Sequence, residues 1–282
     1  MRHHTNDPHC PDRCADTQGP HADAVLGPLR LHGMAQGGEA VGRHEGRVVF
    51  VQGGLPGELV TVRLTEEHPK YRRGIVATIV EPVPERAAPR CPLVGQCGGC
   101  HWQHIAYAAQ LAYKRAVVAE QCRHLGRIAD PPVAETLGMA EPWAYRSTAE
   151  LHLDAAGRPG YYAGRSHDVV PLSRCPLLVP ALNDMLEPLA QVLVQVPPAD
   201  RPAHVTLRYS WAERRVLALV CGGTPAGMRA LAERMGEQIP EMVWQRGRRE
   251  ERLAGRGYLI ESLGGVALRV SPTSFFQVNV PQ

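Results

Sequence analysis

Short apolar runs broken by glycine dominate the sequence from Val25 to about Pro84. Regular short runs with turn residues between them are typical of the strands of a small all-β barrel. A barrel of this size is usually a binding module, so we predict one over residues 25–84. The apolar runs are Leu29–Leu31, Val48–Val51, Leu59–Leu64 and Gly74–Val80.

A helical pattern follows from His104 to Leu125, where apolar residues recur without glycine or proline until Gly126. Residues 127–270 then alternate between strand-like and helix-like stretches. Short turns separate neighbouring strands, which favours a mixed or antiparallel sheet with helices on one face over a doubly wound sheet. The predicted helices are Pro180–Val194, broken or kinked at Pro188, and Ala226–Gln238. The predicted strands are Ala149–Leu153, Gly160–Tyr162, Val169–Leu172, Val205–Tyr209, Val216–Cys221, Tyr258–Leu263 and Val266–Val270.

The first 24 residues are polar and contain few side chains that could be buried, so a disordered tail is expected there. His9, Cys10 and Cys14 could ligate a metal, although a solvated tail is the favoured interpretation. The tail lacks the apolar region of a secretory signal, and the chain contains no run of eighteen apolar residues. We therefore expect a cytoplasmic protein without a membrane-spanning segment.

The composition shows a strong preference for arginine over lysine. The 282 residues carry a net charge of only +3, which does not by itself indicate nucleic-acid binding. All cationic side chains except Lys70 and Lys114 are arginines, which suit phosphate contacts but also arise from a GC-rich genome. Two segments are rich in them, and each could touch RNA phosphates or be solvated, the first as a barrel face and the second as a hairpin. They are the barrel (Arg43, Arg47, Arg63, Lys70, Arg72, Arg73) and a segment predicted as a mobile loop between strands or a solvated hairpin (Arg246, Arg248, Arg249, Arg252, Arg256).

Three of the eight cysteines form a C-x5-C-x2-C run, Cys91, Cys97 and Cys100. Clustered cysteines in a cytosolic chain indicate metal ligands or redox groups rather than disulfides. The glycines between them should allow the positive φ that turns two thiolates toward one centre. Three soft ligands suit an iron–sulfur cluster or zinc, and the lack of a second Cys-x2-4-Cys pair favours the cluster without deciding it. Candidates for a fourth ligand are Cys122, Cys175, Cys221, His101 and His104.

The run Cys91–Cys100, followed by His101–His104 and a helix through Tyr113-Lys114, is similar to the RNA uracil-5-methyltransferases that carry a [4Fe-4S] cluster. In that family a TRAM barrel precedes the cluster, a Tyr-Arg pair opens the central domain, a Cys-Pro segment supplies the fourth ligand, and a Phe-Gln-Val-Asn stretch leads into the catalytic domain. The matching segments in this chain are, in the same order, Gly46–Glu58, Tyr145-Arg146, Cys175-Pro176 and Ser271–Asn279.

The resemblance implies an α+β multidomain fold. Its parts are a disordered tail (1–24), a TRAM (OB-like) β-barrel (25–84), the cysteine cluster with its helix (85–125), a central mixed α/β domain with the iron–sulfur site (126–270), and the beginning of a Rossmann-like, S-adenosylmethionine-dependent methyltransferase domain (271–282).

The resemblance also implies chemistry. Cys91, Cys97, Cys100 and Cys175 would hold a [4Fe-4S] cluster, and Gln277 would contact the methyl donor S-adenosylmethionine. The substrate would be uracil in ribosomal or transfer RNA, flipped into a pocket, where a cysteine thiolate adds to C6 and a carboxylate later removes the C5 proton. In the family these catalytic groups come after the segment that matches residues 271–282. We therefore expect no catalytic residue in this chain, and no methylation by the chain alone.

Two other classes of function are compatible with the same residues. The chain could be a stand-alone RNA-binding module made of the barrel and the cluster, or a structural protein stabilised by zinc. Other candidate groups have no visible partner in the sequence: Cys221 lies beside glycines without an assignable base, and Asp154 and Glu261 are lone carboxylates. We interpret Cys122 and Cys221 as ordinary cysteines.

Overall fold

The computed structural model describes residues 24–280 and 282. The tail predicted at the N-terminus, with His9, Cys10 and Cys14, lies outside these residues except for Ala24. The described chain divides into two compact units, of which the first combines the residues up to Arg86 with Ala108–Ala134. The second combines Ala87–Tyr107 with the described part of Glu135–Gln282. Helices in the described residues are all too short or too polar to cross a membrane.

The first unit contains the predicted barrel, which is closed and has five strands in the order β1-β2-β3-β5-β4. β3 and β5 are parallel, and the other pairs are antiparallel. Apolar side chains alternate inward along the strands and form a core that includes Leu31, Val49 and Val62. The strands are β1 (Val25–Met34), β2 (Ala40–His44), β3 (Arg47–Gln52), β4 (Leu59–Glu67) and β5 (Tyr71–Glu81).

Helix α1 (Tyr107–His124) follows the cysteine run within three residues of the predicted bounds. No residue of this helix is fully buried, and Val118 is half exposed. Its apolar residues therefore do not form the buried stripe that their spacing suggested, because they lie around the helix rather than on one face.

The second unit is built on a seven-stranded sheet with the order β12-β11-β10-β9-β6-β7-β8. Only β10 and β11 run parallel among these strands, and they are connected through α3 (Pro225–Met235). Both α2 (Pro180–Gln195) and α3 contribute to one apolar core with the same face of the sheet. The predicted mixed sheet with helices on one face is confirmed. The strands are β6 (Thr148–Leu153), β7 (Pro159–Tyr162), β8 (Val169–Pro171), β9 (His204–Ser210), β10 (Arg215–Cys221), β11 (Glu241–Arg246) and β12 (Arg249–Ala254).

Helix α2 continues through Pro188, so the predicted break does not occur, and Leu182, Leu186, Leu189 and Leu193 bury one face of the helix in the core. The arginine-rich segment, for which a mobile loop and a solvated hairpin were the alternatives, belongs to the hairpin of β11 and β12 and to the bend that follows it, which holds Arg256. β12 is an edge strand, and its charged side chains resemble those of a loop because edge strands are commonly charged. A separate hairpin, β13 (Leu259–Leu263) and β14 (Val266–Val270), follows.

Candidate functional site

Cys91, Cys97, Cys100 and Cys175 line one cavity of the second unit. The empty space there, including the mouth of the cavity, is about 370 Å³. All four cysteines are free of disulfides, and Cys175 is buried. The cavity brings together the four residues predicted as ligands, whereas Cys122 and Cys221 do not line it. Its remaining walls include the apolar side chains of Leu93, Leu172 and Leu177.

The spacing of these side chains is not that of a site for a single ion. Among residues 24–280 and 282, no three His, Cys, Asp or Glu side chains are grouped so as to hold one metal ion. The four cysteines line one cavity without forming such a group.

The loop that carries Cys97 is fastened to strand β7. The amide of Gly98 donates to the carbonyl oxygen of Tyr162 at 2.9 Å, and the amide of Cys97 donates to that of Leu93 at 2.9 Å. We predicted that the two glycines of the Cys-x-x-Cys pair adopt positive φ, and this is wrong. The positive φ in this loop lies at Gly95 (91°) and not at Gly98 or Gly99. Gly98 is required for space, because an added Cβ would lie 2.9 Å from the carbonyl oxygen of Tyr162.

Cys175 is held by the side chain of Asn183, which α2 presents to it. Asn183 Oδ1 accepts a hydrogen bond from the amide of Cys175 at 2.8 Å. Its Nδ2 donates to the carbonyl oxygens of Cys175 and Leu178, each at 3.0 Å. One amide side chain therefore saturates three backbone groups of the Cys175 segment, and sequence analysis did not identify it.

Backbone pairing brings Arg146 to the same segment. The amide of Arg146 donates to the carbonyl oxygen of Leu177 at 2.8 Å, and its own carbonyl oxygen accepts from the amide of Val179 at 3.1 Å. The side chain of Arg146 lines the cavity together with that of Tyr161. The Tyr145-Arg146 pair was noticed only as part of a resemblance, and Tyr161 was not identified as a site residue.

Two hydrogen-bond donors point at sulfur atoms in the cavity. Gln103 Nε2 donates to Cys100 Sγ at 3.2 Å, while its Oε1 accepts from the amide of Cys91 at 3.1 Å. The amide of Gly99 donates to Cys97 Sγ at 3.4 Å. Gln103 is nearly buried, and nothing in the sequence pattern distinguished it from its neighbours. Such donors stabilise thiolates, the form in which cysteine binds metals.

Burial and mutual repulsion shape the electrostatics of the thiols. Burial raises the pKa of Cys97 and of Cys100, and the Cys175 thiol raises both further. Donated hydrogen bonds and the charge of Arg146 act in the opposite direction. Burial and then Cys175 also raise the pKa of Tyr161, to about 12. Without a cationic centre to bind, Cys97 and Cys100 would therefore ionise less readily than an ordinary cysteine.

Other residues singled out in the sequence have structural partners. Asp154 accepts hydrogen bonds from the amide and the Nε of Arg158, at 2.8 and 2.7 Å. Glu261 accepts from the amide of Trp211 at 2.6 Å. The description of these carboxylates as lone groups is therefore wrong, because their partners are backbone amides and a nearby arginine. The buried Cys221 thiol donates to Gln245 at 3.2 Å, and burial raises its pKa to about 11.

The closing segment is attached to the start of the central sheet. Ser147 donates through its amide and through its hydroxyl to the carbonyl oxygen of Val278, at 2.9 and 3.1 Å. Asn279 Nδ2 lies 3.1 Å from Met139 Sδ. Gln277 and Phe275 are exposed in this segment, and Phe275 is 85% exposed.

Ion pairs within the barrel engage much of its predicted cationic surplus. Arg47, Arg72 and Arg73 form ion pairs with barrel carboxylates, as Arg47 does with Glu67 at 3.0 Å. Arg43 and Lys70 form no ion pair with any described residue, although Arg43 contacts a backbone carbonyl. Register places Arg43 opposite Val48, and Val48 opposite Tyr71, so Arg43 and Lys70 belong to the same end of the barrel.

Known proteins are similar in sequence to the barrel and to nearly the whole chain. Residues 30–77 match the family model of the TRAM domain, as predicted for the barrel. An RNA methyltransferase of Thermosynechococcus vestitus is 34% identical over 279 residues, covering 90% of this chain and 62% of the relative. The 23S rRNA (uracil(1939)-C(5))-methyltransferase RlmD of Erwinia tasmaniensis is 30% identical over 270 residues, covering 89% of this chain and 58% of the relative. This chain is homologous to RNA (uracil-C5)-methyltransferases.

A solved structure shares this fold. The crystal structure of Pyrococcus abyssi tRNA (uracil-54, C5)-methyltransferase, in complex with S-adenosyl-L-homocysteine, superimposes with a TM-score of 0.63 at 20% sequence identity. The superposition covers 93% of this chain and 62% of that protein. This chain spans about three-fifths of the length of these proteins.

Proposed function

We propose that this chain supplies the RNA-binding and cluster-binding parts of an RNA uracil-C5 methyltransferase. The methyl donor is S-adenosylmethionine, and the substrate is uracil in ribosomal or transfer RNA. The observation that carries this proposal is the homology along about nine-tenths of the chain to named RNA methyltransferases. The TRAM domain supports RNA as the partner.

The cysteine cavity fits a [4Fe-4S] cluster held by Cys91, Cys97, Cys100 and Cys175. Its donor set consists of four soft thiols, the ligands that iron–sulfur clusters prefer. The donors to Cys97 Sγ and Cys100 Sγ are the kind that tune such clusters. A cluster bound there would join the Cys91–Cys100 loop to Cys175 and close a loop of about seventy-five residues. Its binding energy would thereby contribute to folding.

For the RNA surface, we propose the end of the barrel that carries Arg43 and Lys70. These cations are not neutralised by carboxylates, and the aromatic rings of Phe50 and Tyr71 lie nearby, 5.8 Å apart between centroids. Cations would contact phosphates, and the accessible parts of these half-buried rings could contact bases. Arg43→Gln combined with Lys70→Gln should weaken RNA binding and reduce its salt dependence by about two ion equivalents.

A matched variant tests whether charge alone explains such a loss. Arg30 is also exposed on the barrel, but its guanidinium is paired with Glu81 at 2.6 Å. Arg30→Gln should leave RNA affinity and its salt slope near those of the unchanged chain, because this charge is already neutralised. Equal losses for Arg30→Gln and for the double variant would refute the proposed surface.

The chain by itself should bind RNA without methylating it. Four of the described cysteines are assigned to the cluster, and Cys221 is buried with a pKa of about 11, so it would be a poor nucleophile near neutral pH. Gln277 is exposed and is proposed to contact the methyl donor, which one residue cannot hold alone. Incubation with labelled S-adenosylmethionine and RNA tests this expectation, and methyl incorporation by the chain alone would contradict it.

The methyltransferase function is tested in the organism that encodes this sequence. Disrupting the gene should remove 5-methyluridine from a defined position of ribosomal or transfer RNA, as measured by nuclease digestion and mass spectrometry. Restoring the intact gene should return the modification. An unchanged 5-methyluridine content, with RNA binding retained in vitro, would instead indicate a stand-alone binding module. Zinc in place of iron and sulfide after anaerobic purification would indicate a zinc-stabilised protein.

A further inference from the structure

Arg146 is a half-buried cation, and no carboxylate lines its cavity to match the charge. Its Nε is inaccessible to solvent and has no hydrogen-bond partner of ordinary geometry among the described residues. Burial by itself would lower its pKa, but Tyr161, Tyr145 and Cys175 more than offset this and raise it. The charges acting on Arg146 thus come from phenols and a thiol, not from a carboxylate. A buried charge without a partner is costly, so such groups are normally paired.

Tyr161 presents a second unsatisfied group to the same cavity. Its hydroxyl is buried and lacks a partner of ordinary hydrogen-bond geometry, although it lies near the Arg146 guanidinium. Buried polar groups in folded proteins are nearly always hydrogen-bonded. These two groups, which act on each other but do not meet ordinary hydrogen-bond geometry, line the same cavity as the four thiols.

We infer that Arg146 is the counter-charge of the group held by the four thiols, and that the Tyr161 hydroxyl donates a hydrogen bond to it. The inference rests on the cluster assignment of the proposed function. A [4Fe-4S]²⁺ core with four thiolate ligands carries a net charge of about −2. One arginine in the wall of the cavity compensates part of this charge, which no other described cation lining the cavity does.

The backbone explains why Arg146 can serve this role. The residue pairs with Leu177 and Val179, directly after Cys175, so the ligand and the cation are held by one set of hydrogen bonds. Tyr161 lies on β7. The next residue of this strand, Tyr162, accepts a hydrogen bond from the amide of Gly98, which lies between the proposed ligands Cys97 and Cys100. Each proposed partner is therefore positioned by the segment that also positions a cysteine.

The decisive experiment uses Arg146→Gln, which removes the charge and keeps a polar side chain. The chain is purified anaerobically or reconstituted with iron and sulfide, and the midpoint potential of the cluster is measured by spectroscopic titration. Loss of a positive charge should shift the potential to a more negative value, because the more negative reduced state loses more stabilisation. Release of iron to a chelator should become about tenfold faster or more. Tyr161→Phe should shift the potential in the same direction.

Two further variants separate electrostatics from folding. Arg146→Lys keeps the charge, so its potential should return toward that of the unchanged chain even if its packing is imperfect. Arg208→Gln removes another largely buried arginine of the same unit whose Nε also lacks a partner, but which does not line the cavity. Its potential and its iron release should be unchanged.

The possible failures can be distinguished. If the unchanged chain binds no iron and sulfide under these conditions, the cluster assignment fails and the inference fails with it. If it binds the cluster but Arg146→Gln has the same potential and the same rate of iron release, the inference about Arg146 alone is overturned. An equal shift in Arg146→Lys and Arg146→Gln would also overturn it, since charge would not be the cause.

Discussion

Asn183 should be one of the most sensitive positions in the second unit, because three backbone groups depend on its side chain. Asn183→Ala leaves the amide of Cys175 and the carbonyl oxygens of Cys175 and Leu178 without these partners. Each hydrogen bond contributes about 0.5–1.5 kcal/mol net, and a buried group left unpaired costs about 1–3 kcal/mol. Allowing for partial access by water, the expected loss is about 2–4 kcal/mol.

The assay can be confined to the relevant unit. All four tryptophans of the chain, Trp102, Trp143, Trp211 and Trp244, belong to the same unit as Asn183. Their fluorescence during urea unfolding therefore reports on this unit and not on the barrel. With a slope of about 2 kcal/mol per molar urea, the midpoint should fall by about 1–2 M.

Two companion variants make the reasoning refutable. Asn183→Asp keeps an acceptor for the amide of Cys175 but replaces the donor by a carboxylate oxygen facing two carbonyls, so it should destabilise at least as much. Asp184→Ala changes the exposed neighbour on the same helix and should alter the midpoint little. A midpoint for Asn183→Ala indistinguishable from that of Asp184→Ala would refute the assigned role.

Three further predictions concern other parts of the chain. Arg86→Ala should destabilise the barrel by about 3 kcal/mol, measured by circular dichroism in urea, because it leaves the fully buried Glu58 carboxylate without its two guanidinium bonds. Gly98→Ala should lower the iron content of the purified chain, since its Cβ would crowd a carbonyl oxygen of β7. Cys221 should resist alkylation at pH 9, because burial raises its pKa to about 11 and keeps it a thiol.

Each of these has an internal control. Arg47→Ala removes a partly exposed ion pair and should cost less than about 1 kcal/mol. Gly164→Ala places its Cβ in open space and should leave the iron content unchanged. The urea-unfolded chain should be alkylated at Cys221 at the ordinary rate. Variants that behave like their controls would contradict the corresponding contacts.

Local signals in the sequence were sufficient for the elements that local chemistry determines. Four of the five barrel strands were predicted because short apolar runs and glycine turns recur at short range, whereas β2, with Gly42, Arg43 and His44 in five residues, has no such run. Three of the proposed ligands were found because they lie within ten residues, from Cys91 to Cys100. Strand β12 was not among the predicted strands, although a hairpin was one alternative for its segment, because an edge strand needs an apolar face only where it is covered, and its arginines and glutamates resemble those of a loop.

Contacts between distant segments could not be obtained in this way. From spacing alone, Cys122, Cys175 and Cys221 were equivalent candidates for the fourth ligand. Only the tertiary structure shows that Cys175 lines the cavity, whereas the Cys221 thiol donates a hydrogen bond to Gln245. The arginines of the barrel looked like a phosphate-binding surplus until strand register paired most of them with carboxylates.

The sequence by itself thus determined the barrel, the mixed sheet and the cluster of three cysteines, because turn residues, alternation and close spacing act over a few residues. Only the tertiary structure decided that Gln103, Arg146, Tyr161 and Asn183 surround the thiols. The physical reason is that these contacts depend on the direction of each side chain and on backbone pairing between distant segments, such as Gly98 with Tyr162 and Arg146 with Leu177, which no local pattern records.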